Sequence, residues 1–237
     1  MPKSDQGSRL IVALDFDDPE VAFKMARQLK PTGCRIKVGL ELYLSGGSEL
    51  VRRLVDDGFD VFLDLKFHDI PNTVARACAV AARLGVWMMN VHGLGGKKMM
   101  RAACDAMEAL DRVPLLTAVT MLTSHAEEEL SQLGLKDTGI QQHVGQLADL
   151  AKNSGLDGVV CSAHEASDLR ERLGPEFLLV TPGIRPAGVP MNDQRRAVTP
   201  EEAVEFGADY LVVGRPVIQS VTPMSTVRDI QRAIGEY

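Results

Sequence analysis

Eight short apolar runs rich in β-branched residues, separated by stretches of helical period, restrict the fold of this chain more than any other feature. The runs are Leu10 to Asp15, Arg35 to Gly39, Asp60 to Lys66, Val86 to His92, Leu115 to Leu122, Gly158 to Ser162, Phe177 to Thr181 and Tyr210 to Gly214. Helical segments fall between them. Pro19 to Leu29 opens after Asp17-Asp18, Pro71 to Leu84 has proline in its first turn and Gly85 beyond its end, and Ile140 to Asn153 is closed by Gly155. Ser167 to Leu173 stops at Gly174, and Thr199-Pro200-Glu201-Glu202 is a helix start with a cap, an N1 proline and acids in the first turn. Eight such units without a linker or low-complexity stretch predict an α/β fold, a single (β/α)8 TIM barrel over residues 1–237, with 1–8 as a polar N-terminal extension. About 250 residues is the usual size of that architecture. A doubly wound open sheet is the alternative; it normally has fewer strands and a glycine-rich first turn, which is absent after Asp15.

Composition narrows the class of partner. A formal net charge of -6 argues against a general nucleic-acid or anionic-membrane binder, since those partners require a basic face. An anionic ligand must therefore meet a local basic pocket. Cys34, Cys78, Cys104 and Cys161 lie far apart, with no CxxC pair and no histidine at zinc-finger spacing, and read as buried free thiols. Met1 to Ser8 lacks the apolar core of a signal peptide, and no segment reaches the ~18 uninterrupted apolar residues of a membrane span. These features predict a cytoplasmic protein.

Chemistry is expected at the end of the third run. Asp64-Leu65-Lys66-Phe67-His68-Asp69 sets three charges after the apolar Val61-Phe62-Leu63. In a regular strand Val61, Leu63 and Leu65 share one face while Phe62, Asp64 and Lys66 share the other, so carboxylate and ammonium point the same way. A buried charge is tolerated only when paired or used. A strand-end ion pair without a chemical role is the competing reading. In a barrel the active site sits at the C-terminal ends of the strands, and the polar residues fall there: Asp15 on the first run, Lys37 on the second, Asp64 and Lys66 on the third, His92 on the fourth. The seventh run leads into Thr181-Pro182-Gly183-Ile184-Arg185-Pro186 and the eighth into Gly214-Arg215-Pro216, the usual phosphate position of this architecture. Other residues read as packing. His68 and His92 lack a third ligand at zinc spacing, Met88-Met89, Met99-Met100 and Met107 read as core, and Glu127-Glu128-Glu129 reads as a solvated acidic helix start.

Taken together, these motifs closely resemble orotidine 5'-monophosphate decarboxylases of the bacterial branch. The resemblance is carried by Asp64 to Thr73 (DLKFHDIPNT), Lys37 within Ile36-Lys37-Val38-Gly39, Val180 to Pro186, Asp193-Gln194-Arg195-Arg196 and Val213-Gly214-Arg215-Pro216. These motifs follow the family's order from Leu10 to Ser220. The resemblance implies a cofactor-independent carboxy-lyase of de novo pyrimidine biosynthesis, without a metal, that converts orotidine 5'-monophosphate to uridine 5'-monophosphate. Lys66 matches the proton donor to C6 and Asp64 the carboxylate facing the substrate's leaving carboxylate. Lys37 and Asp15 match the residues that hold the ribose hydroxyls and extend the charge array. Asp69 and Thr73 match residues donated by the other subunit of a homodimer with shared active sites, and Ile70 joins the substrate-binding set through the same motif. Thr123 falls where the family contacts the pyrimidine. Arg185, Gln194, Gly214 and Arg215 match the phosphate grip, with 185–196 resembling a mobile loop over it. A sister group of phosphosugar barrels shares the Asp-x-Lys-x-x-Asp pattern and includes a magnesium-dependent sugar-phosphate decarboxylase, but lacks Ile70-Pro71-Asn72-Thr73 and the Gln194 signature. A phosphometabolite-binding barrel without catalysis has no evident need for Asp64, Lys66 and Lys37 on one strand-end face.

Overall fold

In a computed structural model, the residues described are 7–186 and 198–237, apart from 109, 111, 124–129, 131, 133 and 136–138. Gln194 with its neighbours Asp193, Arg195 and Arg196, and the run Glu127-Glu128-Glu129, lie outside these residues. All eight expected strands form. They are β1 (Leu10–Ala13), β2 (Arg35–Val38), β3 (Val61–Phe67), β4 (Met88–His92), β5 (Leu115–Val119), β6 (Gly158–Val160), β7 (Leu178–Thr181) and β8 (Tyr210–Val213). Every pairing is parallel and sequential, and β8 returns to β1 through Leu10↔Leu211, Ile11↔Val212 and Val12↔Val213, which closes a (β/α)8 barrel.

Around the barrel lie α1 (Pro19–Leu29), α2 (Leu40–Asp56), α3 (Pro71–Arg83), α4 (Gly96–Asp105), α5 (Ile140–Lys152), α6 (Ala163–Leu173), α7 (Pro200–Glu205), the short α8 (Arg215–Ile218) and α9 (Pro223–Ala233). Strand alternation divides the apolar residues into two cores. Ile11, Ala13, Phe62, Met88, Val180, Tyr210 and Val212 fill the barrel interior, while Leu10, Val12, Ile36, Val38, Val61 and Leu63 face the helices. The interior is plugged at the N-terminal end by Arg35. Its guanidinium lies 4.0 Å over the Trp87 ring and 5.2 Å from that of Tyr210, and it pairs with Asp60 at 3.3 Å. A charge there is tolerated because it is both stacked and paired.

α6 starts elsewhere than the sequence suggests, and α2, α4, α8 and α9 were not among the helices read from it. α6 begins at Ala163 rather than near Ser167, because Ser162 and Glu165 form a capping box in which the Glu165 carboxylate accepts the Ser162 N–H at 2.9 Å. α2 runs through Gly46-Gly47, where Gly47 at φ +60° breaks the helical geometry; a pair of adjacent glycines is in general a turn signal, which conceals a helix of this kind.

Candidate active site

The site is built on an irregularity in β3. Pairing with β4 runs Phe62↔Met88, Leu63↔Met89 and then Phe67↔Val91, so four steps along β3 oppose two along β4. A bulge of this kind re-aims side chains and frees backbone groups from the ladder. Within it Lys66 adopts φ +50°, the left-handed region, which no other non-glycine residue among those described occupies. Asp64 and Lys66 do converge as regular alternation predicts, but through this bulge.

Four charged groups alternate in sign across three neighbouring strands. Lys37 Nζ lies 3.4 Å from Asp15 Oδ1 and 3.3 Å from Asp64 Oδ2, and Lys66 Nζ lies 2.6 Å from Asp64 Oδ1. Asp64 is the buried centre of the array, with its side chain 13% exposed. Burial alone raises its carboxyl, but the ammonium groups of Lys37 and Lys66, with hydrogen bonds from Lys66 and Asn90, outweigh burial and hold it below the ordinary aspartate value. Two glycines make room for the array. A Cβ on Gly39 would stand 3.1 Å from Lys37 Nζ, and one on Gly214 would stand 3.1 Å from Asp15 Oδ2. Gly214 thus brings the end of β8 against the Asp15 end of the array, and Arg215 opens α8 immediately after it. Arg185 is buried beyond β7, with its backbone N–H bonded to the Val198 carbonyl at 2.9 Å.

The remaining expected residues are less engaged. Thr123 is half-buried in the turn after β5. The Asp69 carboxylate accepts the N–H of Ile70 at 2.6 Å, Ile70 is exposed, and Thr73 is half-buried in the first turn of α3. His68 and His92 stack with ring centroids 5.3 Å apart, and His92 Nδ1 accepts the Leu94 N–H at 3.2 Å. Among the described residues no group of three or more His, Cys, Asp and Glu could hold a metal ion. Sequence reasoning missed Asn90, whose amide donates to Asp64 Oδ1 at 2.7 Å and accepts the Lys66 N–H at 2.8 Å. The available signal was a lone amide inside the apolar run Val86 to Val91.

Fold and site together define a (β/α)8-barrel enzyme with its polar residues gathered at the C-terminal ends of the strands. More narrowly, the chain belongs to the orotidine 5'-phosphate decarboxylase / HUMPS family, whose profile matches residues 8–230. It is 54% identical over 227 residues to the orotidine 5'-phosphate decarboxylase of Hydrogenovibrio crunogenus, covering 96% of each chain. With that of Nitrosococcus oceani it shares 55% identity over 228 residues, covering 96% of this chain and 98% of the relative. Among solved structures, that of orotidine 5'-phosphate decarboxylase from Lactobacillus acidophilus superposes with a TM-score of 0.86 at 39% identity, covering 96% of this chain and 99% of that one. No helix among the described residues is long and apolar enough to cross a membrane.

Proposed function

We propose that this chain decarboxylates orotidine 5'-monophosphate to uridine 5'-monophosphate without a cofactor, in the cytoplasm, as a step of de novo pyrimidine biosynthesis. The observation that carries the reading is the Lys66 ammonium 2.6 Å from an Asp64 carboxylate kept ionised by two cations, in a chain of this family. The substrate carboxylate lies against Asp64. The bond from C6 to that carboxylate breaks, CO2 leaves, and the electron pair stays on C6. Lys66 stabilises this charge where it develops and then gives C6 its proton, so that the neutral amine recovers a proton from solvent. The ammonium is preorganised because Asp64 holds it before substrate arrives.

Lys37 and Asp15 hold the ribose hydroxyls, and Thr123 meets the pyrimidine. Arg185, Gln194, Gly214 and Arg215 grip the phosphate, far from the bond that breaks, and lower the barrier through orientation and loop closure. Asp69 and Thr73 serve the active site of a second subunit, and Ile70, between them in the same motif, belongs to the substrate-binding set. Supporting this, Leu40, Leu44, Ile70 and Leu94, on segments following β2, β3 and β4, are 55, 83, 67 and 44% exposed, an apolar rim suited to burial by another copy.

The direct test mixes purified protein, a chelator and orotidine 5'-monophosphate and follows loss of the orotate ultraviolet absorbance. The absorbance falls if the reading is right. No change, or activity restored only by magnesium, would instead favour the sugar-phosphate chemistry of the sister barrels.

A further inference from the structure

We infer that Asn90 is a positioning residue for the decarboxylation, acting through both Asp64 and Lys66; this rests on the roles proposed above for those two residues. Asn90 lies on β4 opposite the β3 bulge and is fully buried. Both ends of its amide are used. Nδ2 donates to Asp64 Oδ1 at 2.7 Å, the same oxygen that receives Lys66 Nζ at 2.6 Å. Oδ1 accepts the backbone N–H of Lys66 at 2.8 Å. In the bulge that N–H lies where the β3–β4 ladder is interrupted, so the side-chain carbonyl supplies a substitute acceptor for a donor the irregular strand leaves over.

The two bonds act on different parts of the proton donor. One fixes the backbone of Lys66 in its left-handed conformation, from which its side chain springs; the other fixes the carboxylate that its ammonium touches. A single planar amide therefore sets the separation between donor and counter-ion. The charged groups around it are Asp64 and Lys66 of β3 and, through Asp64, Lys37 of β2. Its register partner on β5, Thr117, is uncharged. No aliphatic side chain can make either bond. An aspartate of the same shape can accept from Lys66 but can donate to Asp64 only when protonated.

Asn90→Ala and Asn90→Asp, assayed beside the parent and Lys66→Ala, test the inference. Asn90→Ala is expected to lower kcat by about 10- to 100-fold, the cost of misplacing a reacting group by a fraction of an ångström to an ångström. Affinity for uridine 5'-monophosphate should stay within about threefold, because the phosphate grip is untouched. Asn90→Asp preserves packing and gives the reading that a purely structural role would not. Two adjacent carboxyls share a proton at low pH, where the introduced O–H replaces the amide donor, and repel one another once both ionise. Its activity relative to the parent should therefore be highest near pH 5 and fall by about tenfold or more towards pH 8. A kcat of Asn90→Ala within twofold of the parent would overturn the inference. So would equal losses of kcat and product affinity, or a flat activity ratio for Asn90→Asp across the pH range in which it stays folded. If Asn90→Ala does not fold, the pH profile of Asn90→Asp decides. An inactive parent, or an active Lys66→Ala, would instead overturn the proposed function, whereas an active parent, a dead Lys66→Ala and an undisturbed Asn90→Ala remove only the role of Asn90.

Discussion

Lys66 holds a conformation that an L-residue adopts at a cost of about 1–3 kcal/mol, and its surroundings supply the compensation: the Asn90 carbonyl on its N–H and Asp64 on its ammonium. Such strain is retained where it aims a group. Lys66→Ala should lower turnover by at least about a thousandfold, since it removes both a general acid and the cation facing the developing charge. Affinity for uridine 5'-monophosphate should stay within about tenfold. Turnover within tenfold of the parent would show that Lys66 is not the acid. Asp64 makes a second prediction, through pH. Its folded value lies below the ordinary 3.8, so its contribution to stability is complete above that value and is lost as pH falls through the lower folded one. The difference in Tm between the parent and Asp64→Asn should thus be constant from pH 7 down to about 5 and shift against the parent below about 4; a difference unchanged down to pH 2.5 contradicts the assignment. Much of this cluster was legible in the sequence, because an Asp-x-Lys pair closing an apolar strand has few uncharged explanations and Lys37 falls at the matching end of the strand before. The contribution of Asn90 was not. A buried amide identifies itself only by its partners, and those depend on a bulge that leaves no trace in the composition of Leu65-Lys66-Phe67.

The strand-to-helix rhythm was legible for the same reason that the barrel is stable: each apolar run must be buried on both faces, and helices must cover the outer one. The closure at Gly155 was legible, but its recurrence at two further helix ends was less so. Gly58-Phe59-Asp60, Gly155-Leu156-Asp157 and Gly207-Ala208-Asp209 repeat one device before β3, β6 and β8. Each glycine has positive φ, +87°, +90° and +97°, and each following N–H returns to a carbonyl five residues back, at 3.1, 3.2 and 3.0 Å. These are Schellman closures. The aspartates then tie neighbouring elements: Asp157 accepts the Leu116 N–H at 2.7 Å, Asp209 that of Leu179 at 2.7 Å, and Asp60 meets Arg35 at 3.3 Å. A three-residue pattern spaced by about a hundred and by fifty residues is too sparse to register as a repeat. Gly58 offers the cleanest test, because a Cβ there would meet nothing within 4 Å and only backbone strain is added. Gly58→Ala should cost about 1–2 kcal/mol, seen as a Tm lower by about 2–8 °C for a domain of this size. An unchanged Tm would mean that the turn relaxes without strain.

Closure of the barrel is what joins the two halves of the site. Lys37, Asp64 and Lys66 belong to β2 and β3 and Asp15 follows β1, while Arg185 and Arg215 follow β7 and β8; only the β8–β1 seam sets Gly214 beside Asp15. The count of eight runs in the sequence already implied that seam. A second level of assembly is different, because residues that serve a neighbouring subunit need no partner in their own chain beyond their sequence neighbours. Asp69, engaged with the adjacent Ile70 N–H on an exposed loop, fits that description. If sites are shared as proposed, each contains Lys66 of one chain and Asp69 of the other, and Lys66→Ala and Asp69→Ala homodimers are each nearly inactive. In a mixed dimer one site carries both defects, while the other pairs an intact Asp69 from the Lys66→Ala chain with an intact Lys66 from the Asp69→Ala chain. Random reassortment makes about half of the dimers mixed, with one good site in two, so coexpression should recover roughly a quarter of parental activity per total chain. Differently tagged chains purified through both tags would raise the recovery to about half, because every dimer then carries one intact site. Doubly tagged dimers that stay inactive would show that Asp69 works within its own subunit.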